Sequence, residues 1–518
     1  MRKSHALLWA FLLKVVAPHL IEKLEDNNDS DNNSNNIGVI GAGLSGLTAV
    51  LNLAKNIQSG ENYAIHVFEA TDRIGGRIKT ADFNSKKFET GGAFINTEHQ
   101  KLRNLAAEVG QNLFKKPDEN AEVVTLIDDT VQVGQSYNAE ILECVSLEQY
   151  EQSYLVWDYY DYESSDSIIE MLEKCNATDY YKHLAGVAMR SEMGLDPEKC
   201  PAWLLEDAWL IDANATEFHL FGNLGDEAYL YENGAESFIS KILQKIDDLK
   251  NDKNLEIEFY TNSPISEISE NENGVNLRIG LETKTFDHVI STVSLGAYKN
   301  LLQINHPNIS DNQVDFLQNF PMGTNAKLFM IFSEKWWDDT KNMDFITEDY
   351  IIWLNHDDKI YSDKNNNSHS LTVYVGGSKV QDLSNGAIHE GEILANLVAA
   401  YPGKNISDYF IESFVGDIWE AMPHFHGSYS GVPENKKEHL YVGMEETHIG
   451  SHIHFAGEAW NVDFQGYMEG AVRSGEEAAN FVLNHIQENN NSSGSGFTAK
   501  QTLRLTIFSL FLTISMNL

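Results

Sequence analysis

With 518 residues the chain is too long for one compact core, and two domains are expected. Its 77 acidic against 37 basic side chains leave a net charge of −40, which argues against nucleic acid as a partner and suits cationic small molecules, or solubility alone. The three cysteines, Cys144, Cys175 and Cys200, have no CxxC spacing and no histidine cluster beside them, so no metal site is expected, while one disulfide stays open.

In chain order, residues 1–17 carry the pattern of a secretory signal peptide: Arg2 and Lys3 precede the apolar run ALLWAFLL at 6–13. Residues 18–36 end in EDNNDSDNNSNN, a polar low-complexity tract that reads as a disordered linker. IGVI at 37–40 reads as a buried strand, and a helix is expected over 44–56 with Leu44, Leu47, Val50, Leu51 and Ala54 on one face. YAIHVFEA at 63–70 is the second strand, with Glu69 at its end. Between them Gly41, Gly43 and Gly46 keep G-x-G-x-x-G spacing. The first permits a tight turn, the second the approach of a pyrophosphate, the third close helix packing. Leu44 and Ser45 open the helix, whose free N–H groups and partial positive charge suit phosphate. Glu69 suits the two ribose hydroxyls of an adenosine and would repel the extra phosphate of NADP. Together these features predict a dinucleotide site. Ala70, Arg73, Gly75, Gly76 and Arg77 follow in ATDRIGGRIKT as a second place for pyrophosphate and ring contacts.

Further on, FETGGAFI at 88–95 contains Gly92 and Ala93, and LRNLAAEVG and SIIEMLEKC have helical spacing. AKLFMIF at 326–332 is strand-like. Residues 453–483 read as a strand, a turn at Gly457 and Glu458, a loop, and a helix from near Gly466. Small residues Gly470, Ala471, Ala478 and Ala479 would let that helix approach a large planar ligand.

This arrangement resembles the flavin-containing amine oxidase family, which includes monoamine, polyamine and L-amino-acid oxidases and the flavin histone demethylases. The resemblance spans roughly residues 37–485 and is most specific in G-x-G-x-x-G…E…GGR, FETGGAFI and FAGE…GYMEGA. It implies an α/β fold. A Rossmann-like FAD-binding domain would be assembled from 37–95, 226–298 and 415–485, and an α+β substrate domain from the inserts 96–225 and 299–414, the first of them helical. It also implies an adenine contact at Ile265, and FAD contacts at Trp419 in WEAMPHFHGSYSG and at Gly457, Glu458, Gly466, Tyr467 and Met468.

The implied reaction is oxidation of a primary or secondary amine by hydride transfer to the flavin. Dioxygen is reduced to hydrogen peroxide and the imine hydrolyses to an aldehyde. Lys327 matches the family's lysine, which holds a water at the flavin, and Tyr429 and Tyr467 match the two walls of an aromatic cage. Ser428 stands where monoamine oxidases carry the cysteine that bonds FAD, so non-covalent FAD is implied. Ser294 stands where the family usually has proline. No arginine follows the GG of GGAFINTEHQ, which counts against amino-acid substrates. Vertebrate-type polyamine oxidases place a histidine at the position of Asn96; His99 is read as a helix-start residue, Glu98 as a solvated acid, and Trp336 and Trp337 as core. Two alternatives stay open: polyamine oxidation, and a catalytically silent FAD-binding regulator.

The carboxyl-terminal segment 486–518 reads as a linker followed by small residues, a polar spacer and the apolar tail at 505–518, the order of a GPI-anchor signal. A frayed amphipathic terminus is the alternative. Sequons at Asn176, Asn214, Asn308 and Asn405 fit a secreted or surface-tethered glycoprotein attached to membrane by its tail.

Overall fold

The computed structural model describes residues 35–494 apart from 61–62, 85, 116–121, 134–165, 203, 205–227, 272–273, 301, 338–342, 355–368 and 435–437. The expected signal peptide, the apolar tail, Cys144 and Asn214 lie outside the described residues.

The opening strand Asn35–Ile40 pairs in parallel with Tyr63–Phe68 on one side and His288–Ser291 on the other. Glu256–Tyr260 extends the sheet at one edge, and Ile453–Phe455 and His448–Ile449 extend it at the other. This six-stranded sheet therefore draws on all three segments assigned to the FAD-binding domain. The first strand starts at Asn35, whose backbone lies opposite Tyr63, so the last two residues of the expected linker are ordered by pairing. The helix Leu44–Asn56 matches its expected bounds and packs against the closing helix Met468–Gly494. That helix overruns the expected boundary at 485, because Ile486 is still buried against the core.

A second, seven-stranded sheet is built from the inserts, with Asn325–Phe332 between Phe410–Val415 and His369–Gly376. Asn325–Phe332 is buried throughout, yet strand alternation divides it between two jobs. Ala326, Leu328, Met330 and Phe332 enter the core of the substrate domain, together with Trp336 and Trp337. Phe329 and Ile331 pack with Phe88 of the FAD-binding segment, which leaves Asn325 and Lys327 on that same inward face. The first insert is not purely helical. Glu122–Ile127 and Thr130–Val133 form a hairpin that joins this sheet. Asp128 and Asp129, both at positive φ, make the tight turn between two β-branched runs.

Behind the first sheet, histidines crowd the closing helix. His288 and His454 are buried with no hydrogen-bond partner for Nδ1. His454 lies against Phe481 and stacks on His448, and His288 tilts against His452. Burial, reinforced by His452 and His485 and opposed by Asp287, pushes His288 down to about 4; burial, then His448 and His485, pushes His454 down to about 3. A base with a depressed folded-state pKa contributes stability that is whole above about pH 6.5 and is lost as pH falls toward the folded value. For His288 alone the loss approaches 3 kcal/mol by pH 4, on the order of 1.4 kcal/mol for each unit of its fall to about 4. Urea unfolding across pH 7 to 4.5 is expected to show steadily falling stability, with a shallower slope in a His288→Leu, His454→Leu double variant. An equal slope in that variant would contradict this account.

Candidate active site

One cavity of about 530 Å³ runs along the carboxyl ends of the first sheet and ends against the inward face of the second. At its far end stands Glu69, with Gly41, Gly43, Leu44, Ser45, Ala70 and Ile265 around it. Glu69 Oε2 accepts from the Ala42 N–H at 2.9 Å, and Oε1 accepts from the Thr71 N–H at 2.9 Å and the Thr71 hydroxyl at 2.8 Å. The carboxylate is thus pinned at the strand end, facing the start of the helix. Gly46 does not line the cavity. A Cβ there would sit 2.1 Å from the Gly41 carbonyl oxygen, so this glycine sets how closely the helix meets the turn.

Gly76, Arg77, Gly92, Ala93, Trp419, Gly457, Glu458, Gly466, Tyr467 and Met468 all line the middle of the cavity. Arg73, like Gly46, does not line it. Its guanidinium donates to the carbonyls of Ile74, Ile78 and Gly76 and fixes the glycine loop from behind, away from the cavity wall. Ser294 compensates for the absent proline by donating to the Phe425 carbonyl at 3.1 Å while accepting from the Ala297 N–H at 3.4 Å.

Glu458 is buried and ties three segments together. It receives Arg77 Nη1 at 2.8 Å, the Gly466 N–H at 2.9 Å, the Ser430 N–H at 3.3 Å and the Ser430 hydroxyl. Ser430 and Gly466 each adjoin one expected cage ring, so a single carboxylate sets the backbone beside both Tyr429 and Tyr467. Tyr467 is backed by His99, 5.1 Å away edge to face. His99 itself is buried and outside the cavity, where its Nδ1 accepts from the Asn96 N–H at 3.1 Å; Asn96 does line the cavity. Glu98 is exposed.

Lys327 reaches the same cavity from the second sheet. Its buried Nζ donates to the carbonyls of Glu89 and Gly91, both at 2.9 Å, and lies 5.4 Å from the Phe94 ring. Trp353 packs edge to face on Phe94 at 5.2 Å, and Tyr374 lies 4.8 Å from Trp353. Lys327, Tyr429 and Tyr467 therefore converge on one chamber.

The remaining wall was not legible in the sequence. Ser191, Glu192 and Met193 enter from the end of the helix Asp179–Glu192. That helix abuts the second sheet at Gly376, where a Cβ would lie 1.8 Å from the Arg190 carbonyl oxygen. Nothing local in the sequence announces this approach. Cys175 is disulfide-bonded and Cys200 is a buried free thiol raised by burial and by Asp196; neither lines the cavity. Among the described residues one group, Asp128, His183 and Glu348, has a spacing that would admit a metal ion, and it lies outside the cavity.

The glycine turn, the helix start, the pinned Glu69 and a continuous cavity reaching Lys327 fit FAD. Comparison with known proteins agrees. The family model for flavin containing amine oxidoreductases matches residues 44–483. Polyamine oxidase 1 of Zea mays is 23% identical over 480 residues, covering 87% of this chain and 90% of that protein. Amine oxidase [flavin-containing] A of Bos taurus is 20% identical over 501 residues, covering 90% and 88%. Among solved structures, cyclohexylamine oxidase from Brevibacterium oxydans superposes with a TM-score of 0.70 at 19% identity, covering 88% of this chain and 99% of that one. The chain belongs to the flavin-containing amine oxidoreductases, and is an FAD-dependent amine oxidase.

Proposed function

We propose that this oxidase acts on an amine without a carboxylate and with a second positive charge, a diamine or polyamine. One nitrogen would lie between Tyr429 and Tyr467 and a second ammonium would meet Glu192. The observation that carries this reading is the position of Glu192. It lines the cavity one residue after Ser191, whose carbonyl accepts the Tyr429 hydroxyl at 2.9 Å. A substrate carboxylate finds little welcome. Of the fixed cations among the described lining residues, Arg77 is bound to Glu458 and the Ser428 carbonyl, and Lys327 to two carbonyls.

Bound FAD supplies the two-electron acceptor, which takes a hydride equivalent from the carbon beside nitrogen and passes the electrons to dioxygen as hydrogen peroxide. Gly41, Gly43, Leu44, Ser45, Glu69, Ala70 and Ile265 would hold its adenosine and pyrophosphate. Gly76, Arg77, Gly92, Ala93, Trp419, Gly457, Glu458, Gly466 and Met468 would surround the rest. With Ser428 before Tyr429 and no described cysteine in the wall, attachment would be non-covalent.

The protein's own contribution is to select and orient the amine. Only the neutral form has a lone pair to push, and a chamber of Phe94, Trp353, Tyr374, Tyr429 and Tyr467 disfavours the ammonium by desolvation at the reacting nitrogen. Ring faces still attract the incoming cation. Lys327 would hold a water beside the flavin and assist the reaction with dioxygen.

We also propose passage through the secretory pathway to the cell surface, with the tail as a GPI signal. Support comes from the bonded Cys175 and from Asn176, Asn308 and Asn405, three sequon asparagines that are exposed. No helix among the described residues is long and apolar enough to cross a membrane.

Glu192→Gln is expected to raise KM for putrescine or spermidine about ten- to a hundredfold, the range for a partly desolvated charge pair, and to leave benzylamine within about twofold. Equal effects on all three would remove the second-ammonium reading. Lys327→Met should slow the oxygen-dependent return of flavin absorbance by at least about tenfold while the anaerobic bleaching rate holds, as stopped flow would measure; loss confined to the anaerobic step would contradict the role given to Lys327. Endoglycosidase treatment of the protein from a eukaryotic secretory host should increase its gel mobility, and Asn176→Gln should reproduce part of that shift. Unchanged mobility would refute glycosylation.

A further inference from the structure

The pairing of Asn325–Phe332 with His369–Gly376 puts Lys327 directly opposite Tyr374, and Asn325 opposite Gly376. Directly paired residues and those two apart share a face, so Asn325, Lys327 and Tyr374 all point toward the chamber. Asn325 Nδ2 donates to the Tyr374 hydroxyl, which lies 3.3 Å from the Tyr429 hydroxyl. Tyr429 donates to the Ser191 carbonyl at 2.9 Å.

Counting protons fixes the direction of this chain. Each phenol has one proton to give. Tyr429 spends its own on Ser191, so a hydrogen bond between the two tyrosines takes its proton from Tyr374. Tyr374 in turn accepts from Asn325, which cannot run the other way because an amide nitrogen only donates. The sequence of donors is Asn325, Tyr374, Tyr429, then the Ser191 carbonyl.

We propose that Tyr374, oriented by Asn325, is a positioning residue that aims the phenol proton of Tyr429 away from the substrate. This rests on the reading of Tyr429 as a cage wall. The consequence is chemical. A phenol donating to the amine would engage the lone pair that must push electrons as the hydride leaves. With its proton committed to Ser191 and its oxygen capped by Tyr374, Tyr429 offers the amine a ring face and no donor. The three segments that meet here are far apart in the chain and are joined by strand register and by the close approach of Arg190 to Gly376.

Tyr374→Phe keeps the ring against Trp353 and removes the hydroxyl, both the donor to Tyr429 and the acceptor of Asn325. It is expected to lower the limiting rate of anaerobic flavin bleaching about five- to tenfold, the equivalent of one hydrogen bond, with KM within about twofold. The discriminating measurement is the double-mutant cycle with Tyr429→Phe. If Tyr374 acts through the Tyr429 hydroxyl, Tyr374→Phe adds no more than about 1.5-fold in the Tyr429→Phe background. Asn325→Leu should show the same background dependence, which guards against a folding defect in either variant alone. Additive losses, or a Tyr374→Phe enzyme equal to its parent, would overturn the assignment while Tyr429→Ala still impairs turnover. A Tyr429→Ala enzyme with undiminished turnover would instead overturn the cage reading, and this inference with it.

Discussion

The site depends on one buried carboxylate. Glu458 gathers the Arg77 guanidinium, both donors of Ser430 and the Gly466 N–H, and so joins the glycine loop near the opening strand to two segments more than 350 residues downstream. Its neighbours along those segments are Tyr429 and Tyr467. A carboxylate held this way has its charge balanced by an ion pair and its lone pairs filled, which is the condition for tolerating burial. The backbone beside both tyrosines is thereby set by one side chain.

Lys327 does the complementary task between the two sheets. It is rooted in a strand of the substrate domain, and its ammonium is held by the carbonyls of Glu89 and Gly91 in the FAD-binding segment. The aromatic packing of Phe88 and Phe414 around Phe329 clamps the same strand one step further along. The placement of the lysine is therefore a by-product of how the sheets dock, and strand alternation explains why a polar pair, Asn325 and Lys327, survives in a strand buried on both faces.

The cofactor half was legible in the sequence because its determinants are contiguous. The glycine turn, the helix and Glu69 fall within one βαβ unit, and local propensity, hydrophobic period and chemistry all point the same way there. That Tyr429, Tyr467 and Lys327 share one cavity could be expected only through their motifs, since nothing about an isolated tyrosine or strand lysine marks it as lining a cavity. A guanidinium beside two glycines reads equally as a phosphate ligand or a loop brace, and Arg73 donates to three loop carbonyls. Glu192 and Tyr374 were invisible. Their place in the chamber comes from the register Lys327↔Tyr374 and from the contact of Arg190 with Gly376, both set by tertiary packing. The hairpin at 122–133 was the one avoidable omission, because two β-branched runs flanking Asp128 and Asp129 are a turn signal in themselves.

On the proposed reading, an aromatic chamber with a carboxylate at its wall would present a diamine to FAD. The most direct measurement is an anaerobic titration of the purified protein, followed by its visible spectrum, with spermidine, putrescine, benzylamine and leucine added separately. The account predicts two flavin bands that bleach with spermidine or putrescine at lower concentrations than with benzylamine, do not bleach with leucine, and return in air with release of hydrogen peroxide. Bleaching by leucine in preference to the diamines, or flavin bands that no amine bleaches, would contradict it.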